Sequence, residues 1–215
     1  MGTRAEVGVD RIGLFGGTFD PPHLGHTAVA ADVADALGLD RVLWIPAGAP
    51  PHKDPDQPSP SRHRLEMVRA AVRADPRFEA SPIEIERPGP SYTVDTVRAI
   101  RERYPRAELF VIVGVDQYRA LDDWRDPREI VKEARFAVMN REGASPDRYR
   151  PRVLDGMERG PLASGSLPPV VFVPVRRVDL SSSAIRERVR VGLTVAGLVD
   201  REVERILERE SLYRG

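Results

Sequence analysis

The chain has 215 residues, 41% of them hydrophobic and 31% charged, which is the length and composition of one globular α/β domain. Its 33 basic side chains balance its 33 acidic ones, so bulk charge favours neither a nucleic-acid nor an anionic-membrane partner. The sequence contains no cysteine, which excludes disulfides, thiolate metal sites and cysteine nucleophiles. No apolar run reaches the roughly 18 residues of a membrane span, and no secretory signal pattern begins the chain, so we expect a cytoplasmic protein.

The first half of the chain alternates strand and helix patterns. Short apolar runs predict strands, 3.6-residue periodicity predicts helices, and Gly38 is a typical helix end. Prolines between 47 and 61 exclude regular structure there, and the alternating run that closes this half predicts an edge strand. The predicted strands and helices cover 11–16, 24–37, 41–46, 61–74 and 78–86 in turn.

The second half continues the alternation, with Ser91 or Thr93 as the expected cap of its first helix. Residues 143–169 are rich in Pro, Gly, Ser and Arg, and we predict a surface excursion with one helical turn near 153–157. The predicted strands cover 109–113, 136–139 and 170–175, and the predicted helices cover 93–103, 118–121, 127–133, 184–191 and 200–210.

This alternation predicts an α/β fold, a Rossmann-like parallel sheet with helices on both faces and a small C-terminal helical extension over 181–215. We expect a single domain over 10–215, preceded by a flexible arm over 1–9. In such sheets ligands bind beyond the carboxyl ends of the strands. The segments that follow strand ends should therefore converge on one cleft, and they are 16–17, 46–47, 114–116 and 178–183.

The stretch IGLFGGTFDPPHLGH, residues 12–26, is typical of a strand, a glycine turn and a helix start, which together direct backbone N–H groups at a phosphate. The pair His23 and His26 is either structurally satisfied or suited to stabilise the negative charge of phosphoryl transfer. The spacing HxxH comes without a nearby third ligand, so we predict no protein-held metal site. The stretch matches neither the dinucleotide fingerprint GxGxxG nor the phosphate loop GxxxxGK[ST].

The stretch LSSSAIR, residues 180–186, opens a later helix. Three serines before a helix are typical of an N-cap, and taken alone capping is the simpler interpretation. Arg186 lies one turn into that helix, where its guanidinium joins hydroxyls and backbone N–H groups. The stretch is therefore also a candidate second phosphate-binding element.

These two stretches carry a family resemblance. GGTFDPPHLGH resembles the GxFxPxHxGH signature of the adenylyltransferase branch of nucleotidyltransferases, and LSSSAIR is similar to the second signature of that branch, ISSTxIR. Within the branch the chain is most similar to the bacterial nicotinate-nucleotide adenylyltransferases, a resemblance that covers about 11–213. The stretches that carry this closer resemblance are PPHK at 50–53, SYTVDT at 91–96, GVDQYRALDDW at 114–124 and the ending ILERESLYR.

The resemblance implies an enzyme of NAD biosynthesis whose partners are ATP and nicotinate mononucleotide and whose products are deamido-NAD and pyrophosphate. Mg²⁺ would arrive bound to ATP. The implied catalytic residues are His23, His26 and Arg186. The implied ATP contacts are these three residues together with Gly16, Gly17, Thr18, Phe19, Gly114, Asp116, Ser181, Ser182 and Ser183. The implied mononucleotide contacts are Lys53, Thr93, Trp124, Arg125 and Arg141.

Several alternatives stay open at this stage. Trp124 is also interpretable as a core aromatic and Lys53 as a solvated loop charge. Tyr118 stands where the family pattern has a smaller residue, so we expect it to reshape the ring pocket. The acceptor is alternatively nicotinamide mononucleotide or phosphopantetheine, and a non-catalytic nucleotide sensor is a further alternative. The sequence leaves open whether the chain forms a homo-oligomer.

Overall fold

The computed structural model describes residues 10–49, 58–140, 151–155 and 169–214. Its strands are Arg11–Gly17 (β1), Arg41–Pro46 (β2), Phe78–Ala80 (β3), Glu108–Gly114 (β4), Arg135–Asn140 (β5) and Val170–Pro174 (β6). Its helices are Leu24–Leu37 (α1), Ser61–Ala71 (α2), Ile83–Glu86 (α3), Thr93–Arg103 (α4), Val115–Arg119 (α5), Pro127–Glu133 (α6), Ser182–Arg190 (α7) and Arg201–Arg209 (α8). None of these described helices is both long and apolar enough to cross a membrane.

The described strands form one parallel sheet of six in the order β3-β2-β1-β4-β5-β6. From β1 the chain builds outward through β2 and β3, then returns to the other side of β1 and builds outward again from β4. The strand order therefore reverses between β1 and β4, and the carboxyl ends of these two strands leave a crevice. This arrangement confirms the predicted Rossmann-like α/β class.

Alternating side chains of the strands pack on opposite faces of the sheet. Ile12 and Leu14 point into a cluster formed with α4 and α6, whereas Phe15 points into a second cluster formed with α1 and α2. All three side chains are at most 5% exposed. Helices on both faces thus cover β1, as its continuously apolar sequence requires.

A third apolar cluster joins the C-terminal helices to α2. Met67 of α2 is buried against Ile185 of α7 and against Val203 and Ile206 of α8. Each of these four side chains is at most 2% exposed. The predicted C-terminal helical extension is therefore packed onto α2.

The predicted strand over 78–86 is wrong beyond Ala80. Its first residues pair with β2, but Pro82 has no N–H to give to a sheet ladder. The chain turns there into α3, in which the N–H groups of Ile85 and Glu86 donate to the Pro82 carbonyl. The helix packs so closely on Gly48 that a Cβ at that glycine would lie 2.2 Å from the Glu84 oxygen.

The predicted cap of α4 is also wrong, because the N-cap residue is Tyr92 and no side chain caps it. The Ser91 hydroxyl instead accepts a hydrogen bond from the Gly48 N–H at 3.0 Å. Within the predicted excursion the structure describes a helical turn at Arg152–Leu154. The Asp122 carboxylate accepts from two N–H groups of this turn, which fastens it to the short turn that follows α5.

Candidate active site

The four segments predicted to converge do meet in one cleft. The cleft is a cavity of about 650 Å³ at the carboxyl ends of β1 and β4, and its walls include Gly16, Ala47, Gly114 and Ser181. The residues predicted as site residues that line it are Gly16, Gly17, Thr18, Phe19, His23, His26, Thr93, Gly114, Trp124, Ser181 and Ser182.

Four other predicted site residues do not line the cavity. The Asp116 carboxylate is 96% exposed and lies 3.7 Å from Arg119. The guanidinium of Arg125 stacks over the Tyr92 ring at 4.6 Å. Ser183 and Arg186 are the other two, and they lie on α7. Lys53 and Arg141 lie outside the described residues.

The two histidines cap α1 reciprocally. His23 is the N-cap residue, and its Nδ1 accepts from the His26 N–H at 3.3 Å. The His26 Nδ1 accepts in return from the His23 N–H at 3.2 Å, and the two rings stack with centroids 3.7 Å apart. Because each Nδ1 is an acceptor, each neutral ring carries its proton on Nε2. The fold therefore fixes both tautomers as Nε2–H donors.

The turn before the histidines is held by aromatic packing. Phe19 has a φ of 51°, which is unusual for a residue other than glycine, and its ring stacks on Trp44 with centroids 5.2 Å apart. The edge of the Phe19 ring meets His26 at 5.2 Å. Gly17 leaves room for this ring, since a Cβ there would lie 3.1 Å from it. Packing thus holds Phe19 in its unusual conformation and sets the approach to His23.

Two glycines of the cleft have no packing role. A Cβ built on Gly16 or Gly114 would meet no neighbouring atom within 4 Å. By contrast, a Cβ on Gly25 would lie 2.9 Å from the His23 Nδ1 and 3.2 Å from Val178. Gly25 is therefore needed to fit the histidine ring, whereas Gly16 and Gly114 keep space open in the cleft.

The second signature binds directly to the first. Ser181 caps α7 by accepting from the Ala184 N–H at 3.1 Å, as the simpler interpretation predicted. The Ser182 hydroxyl donates to the Pro21 carbonyl at 2.8 Å. The Arg186 guanidinium donates to the Asp20 carbonyl at 2.9 Å. These bonds place the α7 start against the turn that leads to the histidines.

The far end of the cleft combines a helix start and an indole. Thr93 is the first residue of α4, whose N-terminus lacks a side-chain cap. Trp124 lies half-buried, and its ring makes a T-shaped contact with Phe136 at a centroid distance of 6.1 Å. Both line the cavity together with Glu84 and Gln117, which the sequence analysis missed. Glu84 was assigned to a strand, and only the proline before α3 signalled otherwise.

Tyr118 does not line the cleft. Its side chain is 3% exposed and belongs to the core, where its ring makes a T-shaped contact with Phe172 at a centroid distance of 5.4 Å. The neighbouring Gln117 faces the cleft instead. The short helix α5 turns these two consecutive side chains to different surroundings.

A buried polar network lies behind the histidine-bearing turn. The Tyr213 hydroxyl donates to Asp20 Oδ1 at 2.5 Å, and burial, reinforced by the Asp20 charge, raises the pKa of this phenol well above its usual range. The hydroxyl therefore keeps its proton and stays a donor. Burial lowers the pKa of the nearby Arg64 guanidinium, an effect that the Asp20 charge opposes.

A cluster between α2 and α8 has metal-ligating side chains. Donor atoms of His63, Glu66 and Glu210 lie within 4.8 Å of one another. The Arg209 guanidinium already pairs with Glu66 at 2.7 Å and with Glu210 at 2.8 Å. Arg62 donates to the His63 Nε2 at 3.2 Å, and the His63 Nδ1 lies 3.8 Å from a Glu210 carboxylate oxygen. These contacts make the cluster an ion-pair network that joins the two helices.

The sequence of the chain is similar to a known family and to named proteins over most of its length. The model of the cytidylyltransferase-like family matches residues 14–188. The chain belongs to the cytidylyltransferase-like family. It is 43% identical over 204 residues to a Thermus thermophilus protein named probable nicotinate-nucleotide adenylyltransferase, covering 95% of this chain and 100% of that one. A protein of the same name from Shouchella clausii is 40% identical over 203 residues, with 94% and 96% covered.

Solved structures agree with the fold. The nicotinic acid mononucleotide adenylyltransferase of Plasmodium falciparum, complexed with NaAD, superposes with a TM-score of 0.71 over 95% of this chain and 97% of that one. Its sequence is 15% identical, so this likeness concerns the fold alone. The family match and the relatives named probable nicotinate-nucleotide adenylyltransferases confirm the predicted resemblance.

Proposed function

We propose that the chain transfers the adenylyl group of ATP to nicotinate mononucleotide, releasing pyrophosphate and forming deamido-NAD for NAD biosynthesis. The observation that carries this proposal is the direct contact of the two signatures beside one cleft. The names of relatives 40–43% identical over nearly the whole chain support it. An oxygen of the mononucleotide phosphate bonds to the α-phosphorus as the bond to the bridging oxygen of pyrophosphate breaks. Such direct transfer needs no protein nucleophile.

The nucleotide half of the cleft is assigned to ATP. The Nε2–H groups of His23 and His26 act as donors to the phosphates, with His26 stabilising the charge that grows in the transition state. Gly17, Thr18 and Phe19 are assigned to the joint between the two substrates, Gly16 to ATP, and Gly114 and Asp116 to the ribose. The serines that open α7 and Arg186 are assigned to the β- and γ-phosphates.

The opposite half is assigned to the acceptor. A helix start with no side-chain cap offers N–H groups to an anion, so the first turn of α4 at Thr93 suits the nicotinate carboxylate. Trp124 is assigned to the pyridine ring by stacking. Lys53 and Arg141 remain the proposed contacts of the mononucleotide phosphate, and Arg125 remains a proposed contact of the mononucleotide.

A divalent cation, Mg²⁺, is proposed to enter with ATP. Glu84 is the one carboxylate among the described residues that line the cleft. Mg²⁺ keeps several waters and binds phosphate oxygens, so it suits a site with so few acidic side chains. When bound, the ion neutralises charge on the triphosphate, while the protein orients the two substrates.

A coupled assay of pyrophosphate release tests the acceptor. We expect release with ATP and nicotinate mononucleotide, and much slower release with nicotinamide mononucleotide, since the amide lacks the charge that suits the α4 start. Phosphopantetheine serves as the second comparison acceptor. Faster turnover with either alternative acceptor would overturn the acceptor assignment. ATP binding without pyrophosphate release in the presence of any of the three acceptors would favour a nucleotide sensor.

Trp124→Ala tests the ring contact. We expect the KM for the mononucleotide to rise roughly tenfold, since stacking on an aromatic side chain is worth about 1–3 kcal/mol. The turnover number should change little, because stacking acts in the ground state and the transition state alike. Trp124→Phe, which keeps an aromatic face, is the matched control and should show a smaller rise. An unchanged KM in the alanine variant would make Trp124 a core aromatic only.

A further inference from the structure

The end of the chain is bonded to the turn that bears the histidines. The Tyr213 hydroxyl donates to one carboxylate oxygen of Asp20 at 2.5 Å, and the Ser59 N–H donates to the other at 3.1 Å. Asp20 is 4% exposed and lies three residues before His23. Its own carbonyl accepts from Arg186. One buried aspartate therefore joins the first signature, the second signature and the C-terminal residues.

Arg64 adds a second tie to the same loops. Its side chain belongs to α2 and is 1% exposed. It donates to the carbonyls of Ser59 and Thr18 at 2.9 Å each and to the carbonyl of Gly48 at 3.3 Å. The Thr18 carbonyl follows β1, and those of Gly48 and Ser59 lie near the two ends of the connection between β2 and α2. The rigid fork of a guanidinium holds such acceptors at fixed distances from one another.

We propose that Tyr213, Asp20 and Arg64 are positioning residues, which hold the histidine-bearing turn against the start of α7 in the geometry that adenylyl transfer requires. The proposal rests on the proposed function, because that transfer is the reaction whose rate it concerns. None of the three side chains lines the described cleft. Their effect passes through the backbone of the turn to His23 and His26.

This arrangement affects turnover more than substrate binding. Substrate binding is spread over the whole cleft, whereas transition-state stabilisation depends on the donors aimed at the reacting phosphate. A displacement of such a group by about 1 Å lowers rates by on the order of a hundredfold. A purely structural tie would lower the unfolding midpoint and leave the turnover number of the folded protein unchanged.

Tyr213→Phe removes one hydroxyl and keeps the ring. Two quantities are measured well below the unfolding midpoint: the steady-state constants, and amide hydrogen exchange over 17–26 without substrate. We expect the turnover number to fall by about tenfold or more, with the KM for ATP within about twofold of wild type. We also expect faster exchange over 17–26. A wild-type turnover number would overturn the proposal, whether or not exchange accelerates.

Tyr104→Phe is the matched control, because it removes the same group at the far end of α4. That helix starts in the cleft at Thr93 and spans 11 residues, which places its end about 16 Å away. We expect wild-type turnover and exchange from this variant. If the wild-type protein transfers no adenylyl group, the proposed function is refuted. Amide exchange is measured without substrate, so the exchange rates of Tyr213→Phe and wild type would still show whether the network holds residues 17–26.

A double-mutant cycle tests whether the network acts as a unit. Asp20→Asn and Tyr213→Phe are compared singly and together. If Tyr213 acts through Asp20, the double variant should lose no more turnover than the more impaired single variant. Losses that multiply would mean that the two side chains act independently, and would overturn the proposal.

Discussion

Each signature histidine has two tasks at the start of α1. Its Nδ1 accepts a backbone N–H of the partner residue, which satisfies donors that a helix start leaves unpaired. Its Nε2–H is the donor that the proposed reaction needs. A simple alanine substitution therefore mixes a loss of helix capping with a loss of phosphate stabilisation, and the two effects need separate variants.

His26→Glu separates the two tasks, because glutamate is a natural partner at the third position of a capping box and its carboxylate has no N–H to donate. We expect its turnover to fall by about a hundredfold or more, as removal of a transition-state donor does, with stability near wild type. His26→Ala should lose as much turnover and also about 1 kcal/mol of unfolding free energy. Urea unfolding and steady-state assays check both. Wild-type turnover in the glutamate variant would remove His26 from the reaction.

Gly16→Ala tests the space kept open in the cleft. The added methyl group meets no protein atom, so the unfolding midpoint should stay or rise slightly. The KM for ATP should rise about tenfold or more, since a methyl group forced into occupied space costs roughly 1–3 kcal/mol. Gly25→Ala is the contrasting variant and should lower the midpoint, because its Cβ collides with His23. Unchanged nucleotide kinetics in Gly16→Ala would mean that ATP does not approach this backbone.

At the scale of elements, sequence patterns predicted the helix and strand ends that depend on neighbouring residues in the chain. β2 and α6 begin and end at the predicted residues, since an apolar run between turns and a proline at a helix start are local signals. The end of β3 was mispredicted because alternation outweighed Pro82. The cap of α4 was mispredicted because the Ser91 hydroxyl binds Gly48, 43 residues earlier. Such a contact is created by the fold and leaves no local pattern.

One ion pair fastens α1 to the segment after β6. The Asp32 carboxylate accepts from the backbone N–H of Arg176 at 2.9 Å and pairs with its guanidinium. The Arg176 hydrogen bond lowers the pKa of Asp32 below its usual range. A folded-state pKa below the unfolded value gives stability that is present above the unfolded pKa and is lost as the pH falls through the folded one.

Asp32→Asn should therefore lower the urea midpoint at pH 7, and its difference from wild type should shrink as the pH falls below about 4. Added salt should shrink the difference as well. Asp179→Asn is the control, because its pair with Arg177 is largely exposed and contributes little. A difference for Asp32→Asn that is the same at pH 7 and at acid pH would contradict the linkage.

At the scale of the molecule, the C-terminal helices are part of the site's support. The third apolar cluster packs α7 and α8 onto α2, and α2 carries Arg64, which holds the loops of the cleft. The sequence predicted the two signatures and their shared cleft. It did not predict the network of Asp20, Arg64 and Tyr213, because these residues are up to 193 positions apart. Only the folded chain brings them together.

Ile206→Ala tests whether this support unfolds with the sheet. Ile206 is 2% exposed, so the substitution should cost about 2–5 kcal/mol of unfolding free energy. Trp44 and Trp124 both pack against the sheet clusters, and their fluorescence reports unfolding of that part. We expect the fluorescence midpoint in urea to fall. Val191→Ala, at a 58% exposed position, should change it little. An unmoved midpoint in Ile206→Ala would mean that 181–215 unfolds separately.

The open space beside Gly16 and Gly114 has an evolutionary consequence. In a lineage that lost nucleotide transfer, residues 23 and 26 would still need capping side chains, because they begin α1, but other capping residues would replace histidine without loss of stability. Arg186 would be retained, because it binds the Asp20 carbonyl. No neighbouring atom resists a side chain at either glycine, so those two positions would be the first to drift. Among descendants of this fold, glycine at residues 16 and 114 therefore records continued nucleotide use, as histidine at residues 23 and 26 does.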